Sequence, residues 1–173
     1  ERLGVDPRRV VVGGGSAGGG LAASVVNSVR DRGGVQPVAQ WLLYPMLDDR
    51  TAARTDLDAL DHFVWNNAAN RVGWTSLLRG TTSPGADDVP AAAAPARRID
   101  LTGLPPTWLA VGTIDLFHEE AVDYADRLRA AGVPVHVELV PGAPHAFDGI
   151  APNAPMVHQF AESALDWLAE ATS

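Results

Sequence analysis

The sequence predicts an α/β fold: a mostly parallel sheet flanked by helices, read from three observations. Short apolar runs recur at Val10–Val12, Pro37–Tyr44, Pro106–Gly112 and Val133–Val140. Segments of helical composition separate them, and Gly or Pro punctuates the boundaries. Strands that alternate with helices bury a parallel sheet between two helical layers. At 173 residues, 46% of them hydrophobic, the chain is long enough for one domain with a substantial core.

Val10–Val12 is a continuous β-branched run, as expected of a buried parallel strand. A helix is predicted from Ala17 to about Arg32, stopped by Gly33-Gly34. Pro37–Tyr44 forms the second strand and Pro45 closes it. Asp48-Asp49-Arg50-Thr51 reads as a polar loop, residues 56–80 as a helical region, and Thr81–Pro95, rich in Pro, Ala and Gly, as a surface loop. Pro106–Gly112 is the third strand. Ala121, Tyr124, Ala125 and Leu128 repeat at helical spacing in a predicted helix Glu119–Ala131, which Gly132 ends. Val133–Val140 alternates like a half-buried edge strand, with His136 and Glu138 on one face, and Pro155–Glu170 is the last helix.

Composition excludes several classes. A formal charge of −8 leaves no basic patch to neutralise phosphates, which argues against nucleic acid. No stretch approaches the ~20 apolar residues of a membrane span. The chain has no cysteine, hence no disulfide and no thiolate metal site, which suits a reducing, cytoplasmic compartment. His62, His118, His136 and His158 show no metal-ligand spacing, so no metal is expected.

The chemistry-bearing signal is Val10-Val11-Val12-Gly13-Gly14-Gly15-Ser16-Ala17-Gly18-Gly19-Gly20, a strand running through glycines into a helix. Gly14-Gly15-Ser16-Ala17-Gly18 fits G-x-S-x-G, a turn tight enough to need small neighbours and to hold a serine Oγ clear of the backbone. Gly13, Gly15 and Gly18 equally spell G-x-G-x-x-G, the phosphate-cradling turn of a flavin- or NAD-binding module. That module asks for an acidic residue at the end of the second strand, but Gln40-Trp41-Leu42-Leu43-Tyr44 has none and Asp48 lies beyond Pro45. A serine hydrolase asks for an acid and then a histidine after later strands. Asp115 follows the third strand and His145 the fourth, in that order. Asp48, after the second strand, is the rival acid. Asp115 also reads as a helix N-cap, Glu119 and Glu120 as partners of the helix dipole.

These segments, with Leu43-Tyr44-Pro45-Met46-Leu47-Asp48, Leu104-Pro105-Pro106, Val111-Gly112-Thr113-Ile114-Asp115, Tyr124-Ala125-Asp126-Arg127-Leu128 and Pro141-Gly142-Ala143-Pro144-His145-Ala146-Phe147, resemble the C-terminal part of hormone-sensitive-lipase-like carboxylesterases of the α/β-hydrolase superfamily. The resemblance runs from about Val5 to Trp167. It implies an α/β-hydrolase fold and hydrolysis of short- to medium-chain acyl esters without cofactor. In that reading Ser16 is the nucleophile, His145 the general acid and base, and Asp115 its partner. Ala17 supplies a backbone N–H to the oxyanion, Gly14, Gly15 and Gly18 shape the turn, and Phe63, Trp65 and Trp74 are candidates for the pocket. The alternative of a non-catalytic protein on the same scaffold is opposed by the presence of all three triad residue types.

The sequence departs from the family at Gly15, where an acidic residue is usual, and at Ala146, where glycine is usual. It also contains no His-Gly-Gly, the motif that completes the family's oxyanion hole. The expectation is therefore one catalytic domain, residues 1–173, lacking an N-terminal half and cap. The strand at Val10–Val12 then presents an unpaired apolar edge, which favours association into a homodimer.

Overall fold

The computed structural model describes residue 4 and residues 6–173; Val5, where the resemblance begins, lies outside the described residues. Four strands, β1 (Val11–Gly15), β2 (Ala39–Leu43), β3 (Thr107–Gly112) and β4 (Val135–Val140), form one sheet in the order β1-β2-β3-β4. Every pairing is parallel, with Gly15 opposite Leu43, Leu43 opposite Ala110 and Gly112 opposite Val140. The four carboxyl ends therefore share one edge, where ligands of open α/β sheets sit. This is the parallel α/β architecture expected from the sequence. Helices α1 (Ala17–Asp31), α2 (Asp49–Ala53), α3 (Asn67–Leu77), α4 (His118–Ala130), α5 (Phe147–Ile150) and α6 (Pro155–Ala171) complete it.

The sheet is covered on both faces. A Cβ on Gly14 would strike Gly18 of α1, so the Gly14–Leu42–Leu109 row faces that helix. The alternate row carries Trp41 and Trp108, stacked with ring centres 4.9 Å apart and planes 5° from parallel. Phe160 of α6 leans on Trp108 at 5.5 Å, and Ser163 of α6 donates to Glu138 of β4. The main core runs between these layers. A second, smaller cluster gathers Met46, Leu57, Trp74, Leu78, Val89, Leu116 and Phe117 beside it. Among the described residues, no helix is long and apolar enough to cross a membrane.

Four expectations change. The glycines through Gly15 belong to β1 rather than to a turn, because their bareness lets strand and helix backbones approach. The polar loop predicted at Asp48–Thr51 is helix α2: Asp48 caps it by accepting from Arg50 N at 3.0 Å. The helical region 56–80 is two pieces, a 3₁₀ turn at Thr55–Leu60 and α3, parted by left-handed Asp61 and Val64 and restarted by Asn66, which caps Ala69 N. The surface loop Thr81–Pro95 packs inward at Val89 and Ala94, and just beyond it Arg97 pairs with the fully buried side chain of Asp49 at 2.8 Å. Periodicity cannot register such tertiary anchors.

Candidate active site

Ser16 occupies the single residue between β1 and α1, at φ 55° and ψ −125°. A non-glycine residue in such a region costs about 1–3 kcal/mol and must be held there by its surroundings. The holding groups are visible: Ser16 N donates to Leu43 O at 2.9 Å, and Ser16 O accepts from Gly19, Gly20 and Met46 N–H groups. Space is as tight as the strain implies. A Cβ on Gly14 would lie 2.5 Å from Gly18 backbone, and one on Gly20 would lie 2.0 Å from Met46 O. A Cβ on Gly18 would meet nothing within 4 Å, so the last glycine of the motif is not demanded by its own space. The Gly15 departure also has a local correlate: a Cβ there would come to 3.3 Å of the Tyr44 ring.

Loops after β3 and β4 bring two more predicted residues to Ser16. His145 Nε2 lies 2.9 Å from Ser16 Oγ, and His145 Nδ1 lies 2.9 Å from Asp115 Oδ2. The other Asp115 oxygen accepts from Phe117 N at 2.9 Å. A carboxylate only accepts, so Nδ1 carries the proton and Nε2 is left to accept from the serine hydroxyl. Both side chains are almost sealed, His145 and Asp115 being 4% exposed. Tyr44 and Phe117 stand edge-on to the imidazole at 4.7 and 5.2 Å, and Trp65 tilts over it at 6.1 Å. Tyr44 is itself fixed by donating to Asp148 at 2.8 Å. Burial, followed by the Asp148 carboxylate, pushes the Tyr44 phenol well above its ordinary value, so it stays a neutral donor.

As the first residue of α1, Ala17 has an N–H with no partner inside the helix. It borders, with Ser16, an apolar cavity of about 160 Å³. Gly20, Leu21, Met46, Trp65, Gly73, Leu77 and Ala93 complete its wall. Of the three aromatic pocket candidates, Trp65 alone borders it. Trp74 is buried in the smaller core at 1% exposure, where it supports α3, and Phe63 is 66% exposed. The rival acid Asp48 turns away, bound by Arg50 through both carboxylate oxygens. A wider, open depression of about 940 Å³ lies on the far side of the Asp115 loop and includes neither Ser16 nor His145.

The sequence reading missed Tyr44, Phe117, Met46 and Gly73, whose nearness depends on loop paths rather than spacing. It also gave no sign that Glu120 is buried. Of the acidic pair at the start of α4, Glu119 is surface-exposed and pairs with Arg54, but Glu120 is buried, accepting from Leu47 N at 2.8 Å and Asp48 N at 3.2 Å, with Thr51 on its second oxygen. Tyr44-Pro45-Met46-Leu47-Asp48 had been noted only as a segment; its backbone needs a partner, which is the signal that could have pointed to Glu120.

A family model described as alpha/beta hydrolase fold matches residues 1–149. Carboxylic ester hydrolase LipN of Mycobacterium tuberculosis is 35% identical over 153 residues, covering 85% of this chain and 39% of LipN. Among solved structures, a bacterial heroin esterase superposes with a TM-score of 0.92 at 38% identity, over 99% of this chain and 54% of that one. An esterase of the bacterial hormone-sensitive lipase family superposes with a TM-score of 0.85 at 29% identity, over 99% and 56%. The chain spans about half the length of these relatives, or less. It belongs to the α/β-hydrolase family, in its hormone-sensitive-lipase-like branch.

Proposed function

From that membership we propose that this chain carries the nucleophile, base and acid of a serine carboxylesterase acting on small esters. The carrying observation is the unbroken Ser16–His145–Asp115 hydrogen-bond chain, both links at 2.9 Å, on a strained turn. Ser16 Oγ attacks the ester carbonyl while its proton passes to His145 Nε2. Asp115 keeps Nδ1 protonated and stabilises the imidazolium that forms. The tetrahedral oxyanion is met by the Ala17 N–H at the positive end of α1. His145 then returns its proton to the departing alkoxide, leaving an acyl-Ser16 ester. Water, deprotonated by His145, attacks that ester and releases the acid and the free serine.

The cavity beside Ser16 takes the acyl group. Its 160 Å³ is close to the ~150 Å³ of an engineered cavity that holds benzene, so acyl chains up to about six carbons fit. Relatives named as carboxylic ester hydrolase and esterases support the reaction class.

The test is intact-mass analysis after exposure to a fluorophosphonate, with Ser16→Ala as control, beside p-nitrophenyl ester turnover. One adduct on the parent and none on the variant, with turnover declining beyond hexanoate, is expected. Equal labelling of both proteins, or labelling of neither while folded, overturns the reading.

A further inference from the structure

Glu120 is a buried carboxyl for which acyl transfer has no use. Its residue is 7% exposed, and its hydrogen-bond partners are two backbone N–H groups and the Thr51 hydroxyl. None of them is cationic. The nearby cations are engaged elsewhere: Arg50 grips Asp48, Arg97 grips Asp49, and Arg54 spans Asp56 and Glu119. Arg127 of α4 is held by the carbonyls of Ala96 and Arg98. The charge acting on Glu120 is of like sign, Asp48 from the segment after β2, while Glu119, Asp123, His62 and His118 line the same depression without bonding to it. A buried carboxylate without a cation is costly, and the inexpensive answer is to keep the proton.

The contacts also form a closed circuit. Met46 N donates to Ser16 O, and the next two N–H groups donate to Glu120 Oε1. Glu120 stands five residues after Asp115, on the helix that the Asp115 loop begins. Asp115 returns through His145 to Ser16.

Resting on the carboxylesterase reading, we propose that Glu120 is a positioning residue held as a neutral carboxylic acid, tying the backbone behind Ser16 to the helix behind Asp115. Oε1 accepts from the Leu47 and Asp48 N–H groups, and Oε2 shares a single hydrogen bond with the Thr51 hydroxyl. The arrangement gives both carboxyl oxygens a partner without a buried charge. Burial pushes the Glu120 carboxyl up to about 8, ahead of the opposing hydrogen bonds from Thr51 and Leu47.

The sign of the pH dependence follows. A carboxyl whose folded-state value lies above its usual one favours the folded state most below pH ~4.5, and that contribution is lost as pH rises toward about 8. Glu120→Gln mimics the neutral acid, whereas Glu120→Ala removes the tie. At neutral pH Glu120→Gln is expected to keep kcat/KM for p-nitrophenyl butyrate within about 3-fold of the parent, and Glu120→Ala to lose at least 10-fold in kcat with KM within 2-fold. Above pH 8 the parent's kcat falls and that of Glu120→Gln does not. In urea unfolding, the parent loses stability relative to Glu120→Gln between pH 5.5 and 8.5. A Glu120→Gln variant as impaired as Glu120→Ala, an alkaline fall that persists in it, or a pH-independent stability gap overturns the proposal. A folded parent without ester turnover or labelling removes the carboxylesterase reading and the positioning role with it, while the unfolding series still reads the protonation of Glu120.

Discussion

Helices α1 and α4 both follow the carboxyl end of a parallel strand, and their first turns are filled in opposite ways. The first turn of α1 holds Ala17, Gly18, Gly19 and Gly20, with no acidic residue, and its N-cap Ser16 makes no side-chain capping bond. At α4, Asp115 accepts from Phe117 N, and Glu119 and Glu120 occupy the first turn. A helix N-terminus carries roughly +0.5 of an elementary charge and several unpartnered N–H groups. In the carboxylesterase reading, one of the two termini is kept bare, with its N–H groups beside the proposed nucleophile Ser16, where negative charge would develop in ester attack. The other is filled by the protein's own carboxyl groups, one of which orients the histidine. In that reading the same local element meets a transient charge in one place and the protein's own carboxyl groups in the other.

Exchanging an oxygen for an amide at the filled terminus breaks the comparison most severely. Asp115→Asn preserves the acceptor for Phe117 N through the amide oxygen and places an NH2 opposite His145 Nδ1. The imidazole then takes the tautomer with Nε2 protonated, which cannot accept from Ser16. A fall in kcat of about 10⁴-fold is expected, from the size of this effect in a serine protease, with the unfolding midpoint nearly unchanged. Steady-state turnover beside urea unfolding checks it. A loss below 10-fold would mean that Asp115 closes the turn leading into α4, whose N-cap is Phe117 rather than the expected Asp115, and does no more.

The bare terminus was the more legible of the two. Gly13 to Gly20 could be read as a strand-to-helix turn because only glycine tolerates backbone at the approaches seen at Gly14 and Gly20. The places of Ser16, Asp115 and His145 followed from strand alternation, since every parallel strand delivers its successor loop to one edge. The filled terminus was half legible. Asp115 was found from its place after a strand, but Glu120 looked like any acid in a first helical turn. Its burial depends on where residues 45–48 run, and no local pattern encodes that path. The same limit explains Trp74 and Phe63. Three aromatics within twelve residues gave no sign of which faced the core, the cavity or solvent, because left-handed Val64 and the fresh helix start at Asn66 reset the phase between them.

Within α1 itself, crowding divides the glycines. Gly20→Ala would drive a Cβ to 2.0 Å of Met46 O, a backbone atom with Met46 N bonded to Ser16 O, so the segment cannot retreat without loosening the serine. A loss of about 3 kcal/mol in unfolding free energy is expected, at the upper end for overpacking, together with lower kcat. Stability within 0.5 kcal/mol of the parent would show that α1 and the Pro45–Met46 backbone are free to separate.

Gly18→Ala is the mildest and most diagnostic change. Gly18 belongs to the G-x-S-x-G signature, but a Cβ there meets nothing within 4 Å and its backbone is helical with negative φ. On conformational grounds alanine gains about 0.5–1 kcal/mol over glycine in a helix, chiefly by restricting the unfolded chain. Stability should therefore rise by that amount, seen as a higher urea midpoint. A loss of activity in so stable a variant is expected to come from substrate approaching the bare first turn, since the described residues leave the space open. Gly18→Ala with full activity would assign that glycine to the folding of the turn's neighbours, while a fall in kcat/KM with stability raised would place substrate against α1 at Gly18.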